Sequence, residues 1–286
     1  MRTACRIVPV AAAIGVAVAV AGFSARAEST PPLPAPNASI PREPARLAHT
    51  LLLTTRGLRE AVDRWRAQGN PSTGGPTPDV ELLALYQQRI YRLLRRNDAL
   101  ARAIFKLLPS SLAREARSIV AAGKNLRRIT PALQARKLRT KRPLPVGVLL
   151  RHYRDAERRF GVRWETLAAV NFAESAFGKI RTDSAAGAQG PMQFMPATWR
   201  AYGLGGNVHN DRDAIMGAAN YLKASGAPRN IRRALLAYNH SSAYVDSILR
   251  YMQLIARDPR NLYVFYSWQL FVRTEKGDVR LTGPGR

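Results

Sequence analysis

The sequence predicts a mainly α-helical protein with one short β-hairpin near its C-terminus. Two observations carry this: apolar residues recur at helical spacing through most of the chain with no strand pattern between them, and only the final stretch turns aromatic and β-branched around a Lys-Gly pair. At 286 residues, 46% of them hydrophobic, the chain is long enough for one or two cored domains.

The elements follow in order. Arg2 and Arg6 precede an Ala/Val-rich apolar run at residues 7–23, and Ala25-Arg26-Ala27 is an A-x-A cleavage signal. The run falls short of the ~20 residues that span a bilayer, so residues 1–27 read as a signal peptide rather than an anchor, and an exported mature chain from Glu28 is expected. The single cysteine, Cys5, lies before the apolar run. It cannot be an acylated lipoprotein cysteine, and a mature chain without it has no disulfide framework, Cys nucleophile or thiolate metal site. Residues 28–44, "ESTPPLPAPNASIPREP", are proline-rich without apolar periodicity and read as a flexible, extended tether.

Residues 45–142 read as a small basic helical domain. Leu47, Leu51, Leu58, Val62 and Trp65 mark one helix, and Leu83, Tyr86, Ile90, Leu93 and Leu94 a second. Between them "GNPSTGGPTPD" is a turn-rich connector ending in a candidate N-cap, Asp79. A third helical stretch at about residues 111–125 follows Pro109, and then come Arg127, Arg128, Arg136, Lys137, Arg139, Lys141 and Arg142. That run suits a solvated helix face as well as a polyanion site. With 45 Lys+Arg against 19 Asp+Glu, the net charge of +26 favours anionic polymers, lipid headgroups or nucleic acid, and export removes the usual nucleic acid partner.

Residues 143–258 read as a second helical domain, with 259–286 as a C-terminal extension. Val146, Leu149, Leu150, Tyr153 and Phe160 open it, with Gly161 as C-cap. A helix at 164–177 follows, then a short one from Pro196 to Gly203. Three more carry the stripes Ile215, Ala218, Ala219, Leu222; Ile231, Ala234, Leu235, Tyr238; and Val245, Ile248, Leu249, Met252. The run "YVFYSWQLFVRTEKGDVRLTG" is expected to form a β-hairpin turning at Lys276-Gly277.

Three segments could carry chemistry. In "NFAESAF", Glu174 shares a helix stripe with Leu167 and Val170, so its carboxyl is expected to be desolvated. Burial raises a carboxyl pKa and can keep it protonated near neutrality as a general acid. Position alone also allows a helix-end Glu satisfied by a buried Arg. In "AAGAQGPMQFMPATW", Gly187 and Gly190 permit close backbone approach to a ligand, and Gln193 and Phe194 offer the amide and aromatic surface suited to an acetamide-bearing sugar; a purely structural turn has the same composition. In "LLAYNHSSAYV", Tyr238 falls on a buried stripe, Asn239 ends its helix, and Ser241 or Ser242 can cap the next. A core Tyr bonded to backbone fits equally, and His240 has no second ligand at metal spacing.

In this order and register, Glu174-Ser175, "GPMQFMPATW" and "AYNHS" resemble the lytic transglycosylases of the SLT, goose-lysozyme-like superfamily, over roughly residues 143–256. The arrangement is similar to exported actinobacterial members sharing features with membrane-bound lytic transglycosylase B. The resemblance implies a lysozyme-like helical catalytic domain that cleaves the β-1,4 bond between N-acetylmuramic acid and N-acetylglucosamine and leaves 1,6-anhydro ends. Glu174 would be the single acid and base, with Ser175 and Tyr238 orienting the carboxylate or substrate. Gln193 and Asn239 would bind substrate, and Phe194 would be a sugar platform.

No cofactor is implied. Relatives often carry an Asp-rich calcium-like loop where this chain reads "GLGGNVHNDRDA"; Asp211 and Asp213 are explained as helix N-terminal residues, and no metal is expected. The expected partners are peptidoglycan strands and, through the basic N-terminal domain, anionic wall polymers, with the chain a monomer in the cell wall or periplasm. Two alternatives stay open: a hydrolytic muramidase, which needs a second carboxylate ~6.5–9.5 Å away if inverting, with Asp183 the nearby candidate, and a non-catalytic wall-binding protein.

Overall fold

The structure, a computed structural model, describes residues 32–285 except 133, 134, 136, 137 and 276. The expected signal peptide, Arg136, Lys137 and Lys276 lie outside the described residues. From Leu33 onward the chain forms one compact unit.

Helix α1 (Pro44–Gln68) starts where Glu43 accepts the amides of Ala45 and Arg46 at 2.8 and 2.7 Å, with Pro44 in the first turn. Leu47, Leu51, Leu58, Val62 and Trp65 are all buried. Helix α2 (Pro78–Leu94) begins two residues earlier than an Asp79 cap requires. Thr77 holds the cap position and Asp79 lies inside the first turn, bonded to Val80 N and to Arg64. The proline at 78 sets this register, because its missing N–H is harmless at the first helical position.

Helix α3 (Asp98–Leu107) is not anticipated by the sequence analysis; Asn97 caps it by accepting from Leu100 N at 2.9 Å. Helix α4 (Ser110–Ile129) overruns the expected stretch at both ends. Helix α5 (Val146–Phe160) closes on Gly161, whose φ of 71° is the left-handed cap conformation. Then come α6 (Trp164–Ser175), α7 (Pro196–Tyr202), α8 (Asp211–Ala224), α9 (Ile231–Tyr238) and α10 (Ser242–Arg257).

The aromatic run near the C-terminus divides. Its first part is helix α11 (Arg260–Ser267), and only β1 (Phe271–Thr274) and β2 (Gly277–Arg280) form the hairpin, with Phe271 opposite Arg280 and Thr274 opposite Gly277. Residues Asn261 to Ser267 are buried on every face, so no period distinguishes helix from strand there, and tertiary burial overrides β-propensity.

Helix α10 packs along α4 and α6, α5 along α8 and α6, and α1 along α2, α3 and α11. The phenyl ring of Phe172 on α6 is the hub. It stacks on Phe265 of α11 at 5.3 Å and meets Tyr251 of α10 edge-on at 4.9 Å. Contacts therefore cross the 142/143 boundary: Ser247 Oγ donates to Ala122 O, and Gln88 exchanges hydrogen bonds with the backbone of Gln269 at 2.8 and 2.9 Å.

The proline-rich stretch differs from a free tether over its described part. Arg89 donates to the carbonyls of Pro36 and Ala38, and the Tyr86 hydroxyl to that of Ser39 at 2.8 Å. An extended proline-rich backbone keeps its carbonyls unpaired, and α2 presents the donors that use them.

Candidate active site

Glu174 lies in the last turn of α6. This helix is buried on nearly all sides, with Thr166, Leu167, Ala168, Ala169, Val170, Asn171 and Ser175 inaccessible, while Glu174 stays partly exposed. The helix stops because Ala176 and Phe177 take φ of 51° and 65°. Left-handed conformations cost a non-glycine residue roughly 1–3 kcal/mol, and the packing must hold them. Here the fully buried Phe177 ring stacks on Phe172 at 5.5 Å.

The Tyr244 hydroxyl, on the first turn of α10, donates to Glu174 Oε1 at 2.6 Å. Burial pushes the Glu174 carboxyl up to about 7, and the Tyr244 bond opposes that shift without cancelling it. No ion pair reaches the carboxyl among the described residues. The Tyr244 ring is itself buried and its hydroxyl pKa is pushed well above 10, first by desolvation and then by Glu174. Tyr244 is therefore a neutral donor throughout the physiological range. The sequence signal for it was its place three residues after the Ser241 cap, which turns it inward on α10.

Ser175 does not touch the carboxyl. Its hydroxyl donates to Pro191 O at 2.6 Å and accepts from Gly178 N at 2.8 Å, tying the end of α6 to the loop before α7. In that loop Gln189 and Phe194 exchange backbone hydrogen bonds at 2.8 Å each way. Gln193 stands at φ 50° and its amide donates to Gly190 O at 2.9 Å. Gly190 is required here, since at φ 73° a Cβ would lie 1.9 Å from Val208 O.

Tyr238 takes a backbone partner, as the reading of it as a core tyrosine allows. Its hydroxyl donates to Met192 O at 2.7 Å, so it supports the loop and leaves Glu174 to Tyr244. Phe194 is only 3% exposed, wedged between Trp199 and Tyr238 at 5.1 and 6.0 Å, and offers no free face for a sugar. Partly exposed rings do continue outward from Tyr238: Tyr221 at 5.7 Å, then Tyr202 a further 4.8 Å away. Neither was singled out from sequence, because a tyrosine on a helix stripe looks the same whether core or wall. Asn239 caps the end of α9 and is partly exposed. Asp183 is exposed on the loop after α6.

Near α8, Asp211 pairs with Arg181 at 2.9 Å and Asp213 accepts from Asn207 N at 3.0 Å. Among the described residues no three His, Cys, Asp or Glu side chains gather as metal ligands do.

The geometry is that of one desolvated carboxyl, held by a neutral hydroxyl, at the partly exposed end of a buried helix. Residues 152–254 match the family model described as Transglycosylase SLT domain. The chain is also similar to a membrane-bound lytic murein transglycosylase F from Thiobacillus denitrificans, 29% identical over 129 residues. That alignment covers 42% of this chain and 27% of the relative, so the chain spans about a quarter of the relative's length. No solved structure matches.

Proposed function

From the transglycosylase SLT domain at residues 152–254, we propose that this protein is a peptidoglycan lytic transglycosylase cleaving the bond between N-acetylmuramic acid and N-acetylglucosamine with formation of 1,6-anhydro ends. The observation that supports it most is the Glu174 carboxyl, raised to about 7 by burial and bonded, among the described residues, only to a neutral hydroxyl.

At pH 7 such a carboxyl is close to half protonated. Tyr244 engages Oε1, which leaves Oε2 to carry the proton. Transfer of that proton to the glycosidic oxygen breaks the bond at muramoyl C1 and releases the other strand as an alcohol. The positive charge left at C1 is an oxocarbenium, facing a carboxylate that is now a base. Glu174 then takes the proton of the C6 hydroxyl as its oxygen closes on C1. Proton and charge balance without water, and the second carboxylate of a hydrolase is not required.

Around this step Gln193 and Asn239 are the proposed substrate-binding side chains. Ser175 and Tyr238 act as positioning residues, through the loop at 190–195. The partly exposed Tyr221 and Tyr202 rings take the platform role that buried Phe194 cannot. The chain acts as a monomer without cofactor or metal, outside the cytoplasm in the wall or periplasm, exported by residues 1–27. The basic segment at 45–142 holds anionic wall polymer in a salt-sensitive way, since separated surface charges are screened over ~8–10 Å.

The test is to incubate the protein and its Glu174→Gln variant with purified sacculi and analyse released fragments by mass spectrometry. Anhydro-muramoyl ends from the wild type, and almost none from the folded variant, are expected. Reducing ends would make the enzyme a hydrolase, and release by the variant would remove Glu174 from the chemistry.

A further inference from the structure

On either side of Glu174-Ser175, Ala173 and Ala176 line a second space. It is a cavity of about 230 Å³ that α6 shares with α2, α4, α10 and the hairpin. Its charged lining is mostly guanidinium: Arg92 from α2, Arg95 at the cap that ends α2, Arg127 from α4 and Arg273 from β1. Among its lining residues the one acid is Asp278 of β2.

Asp278 is already spent. Its carboxylate pairs with Arg92, Arg96 and Arg127, the last at 2.7 Å, and its pKa is held down by those partners against desolvation. Arg95 is left over. Among the described residues its guanidinium donates no hydrogen bond and forms no ion pair, while burial pushes its pKa below the ordinary range. Four guanidiniums thus share one carboxylate. Leaving a desolvated cation unpaired is costly unless something answers it.

The fold makes room for this side chain. Gly123 lies inside α4, where glycine is the poorest ordinary helix former. A Cβ there would stand 2.5 Å from Arg95 Cδ and 2.6 Å from Nη1. The missing side chain is the slot in which Arg95 lies. A neighbouring open space of about 480 Å³, lined by Arg42, Arg89 and Arg96, shares Arg92, Phe271 and Asp278 with the first. A ligand held at Arg95 therefore has a positively charged path to the outside.

We propose that the cavity at Arg95 binds a phosphate group, either of a free phosphate ester or of one unit in a phosphodiester chain. Planar guanidinium forks match tetrahedral oxyanions, and the excess of three positive charges suits a multiply charged anion better than a second carboxylate. The site assigns residues to the polyanion binding proposed above. The free-ester measurement stands independently of that reading and of any enzymatic activity.

The experiment is calorimetric titration of the full chain with glycerol phosphate and with a short poly(glycerol phosphate), against sodium chloride at matched ionic strength. Saturable one-site binding of the ester is expected, with Arg95→Met weakening it at least about tenfold, the scale of a charge-assisted bidentate contact. Arg95→Met should not lower Tm, because it removes an unanswered cation. Gly123→Ala should weaken binding similarly, since the added methyl displaces the Arg95 side chain from its slot. Tighter binding of the chain than of the monomer assigns the polymer as ligand; equal affinity assigns the free ester. Absence of saturable binding by either ligand, or wild-type affinity in Arg95→Met, overturns the site.

Discussion

The hydroxyl of Tyr244 donates to Oε1 of Glu174 at 2.6 Å, joining the first turn of α10 to the last turn of α6. The bond works against burial. A hydrogen bond to the charged carboxylate favours ionisation, desolvation opposes it, and the carboxyl settles at about 7 because desolvation is the larger effect. That value suits a residue that must first give and then take a proton near neutrality.

The acid step predicts a rate that falls about tenfold per pH unit once pH exceeds the Glu174 pKa. Tyr244→Phe removes the one contact that lowers that pKa, so the alkaline limb should move to higher pH while the ring stays packed. Release of soluble fragments from sacculi, followed from the acid side of the limb to the alkaline side, measures it. A limb that stays in place or moves to lower pH would show that Glu174 is not the titrating acid.

Much of this was legible in the sequence because helical stripes are local. Leu167 and Val170 place Glu174 on a buried face, and Pro196 and Gly203 bracket α7 as a proline start and glycine stop should. Partner choice was not legible. Tyr238 and Tyr244 both lie inward on neighbouring helices, and only the distance between α9, α10 and the loop decides which hydroxyl finds the carboxyl and which finds Met192 O. The resemblance implies a sugar platform at Phe194, yet Trp199 and Tyr238 close over it. The stretch at 260–267 misled for another reason, since full burial erases the period that separates helix from strand.

Ser175→Ala should be strongly destabilising for its size. The hydroxyl is fully buried and serves Pro191 O and Gly178 N together, so its loss leaves two backbone groups without partners. At roughly 1–3 kcal/mol for each buried unsatisfied group, with partial relaxation, a loss of about 2–4 kcal/mol is expected. Urea unfolding should show a lower midpoint at unchanged slope. A stability within about 0.5 kcal/mol of wild type, the range of ordinary surface substitutions, would mean that the loop is held by other contacts.

Tyr238→Phe separates positioning from proton chemistry. The ring keeps its neighbours Phe194 and Tyr221 at 6.0 and 5.7 Å, while Met192 O loses its donor. Stability should fall by about 1 kcal/mol. Turnover should fall through the loosened loop, with the pH limb where the wild type has it, because a neutral hydroxyl bonded elsewhere does not set the Glu174 pKa. A shifted limb would mean that Tyr238 reaches the carboxyl after all.

Glu174→Gln should make the protein more stable above neutrality while abolishing its activity. The folded carboxyl titrates at about 7 and the reference value is 4.5, so between those values the folded state holds more protons than the unfolded one. Wild-type stability contributed by this group is therefore greatest below 4.5 and declines as pH rises to about 7, beyond which the full cost of a buried charge is present. The amide removes that titration. Buried Lys179, lowered to about 7 against 10.5, slopes the opposite way: the unfolded state holds more protons between those values, and stability rises with pH. Lys179 is common to both proteins, so it cancels in the difference. Subtracting wild-type from variant unfolding free energies should give a curve that climbs across the Glu174 window and levels off at roughly 1–3 kcal/mol in favour of Gln, allowing for partial solvent access to the carboxyl. A flat difference curve would mean that Glu174 ionises as freely in the fold as in water, and the raised pKa on which the acid step depends would be absent.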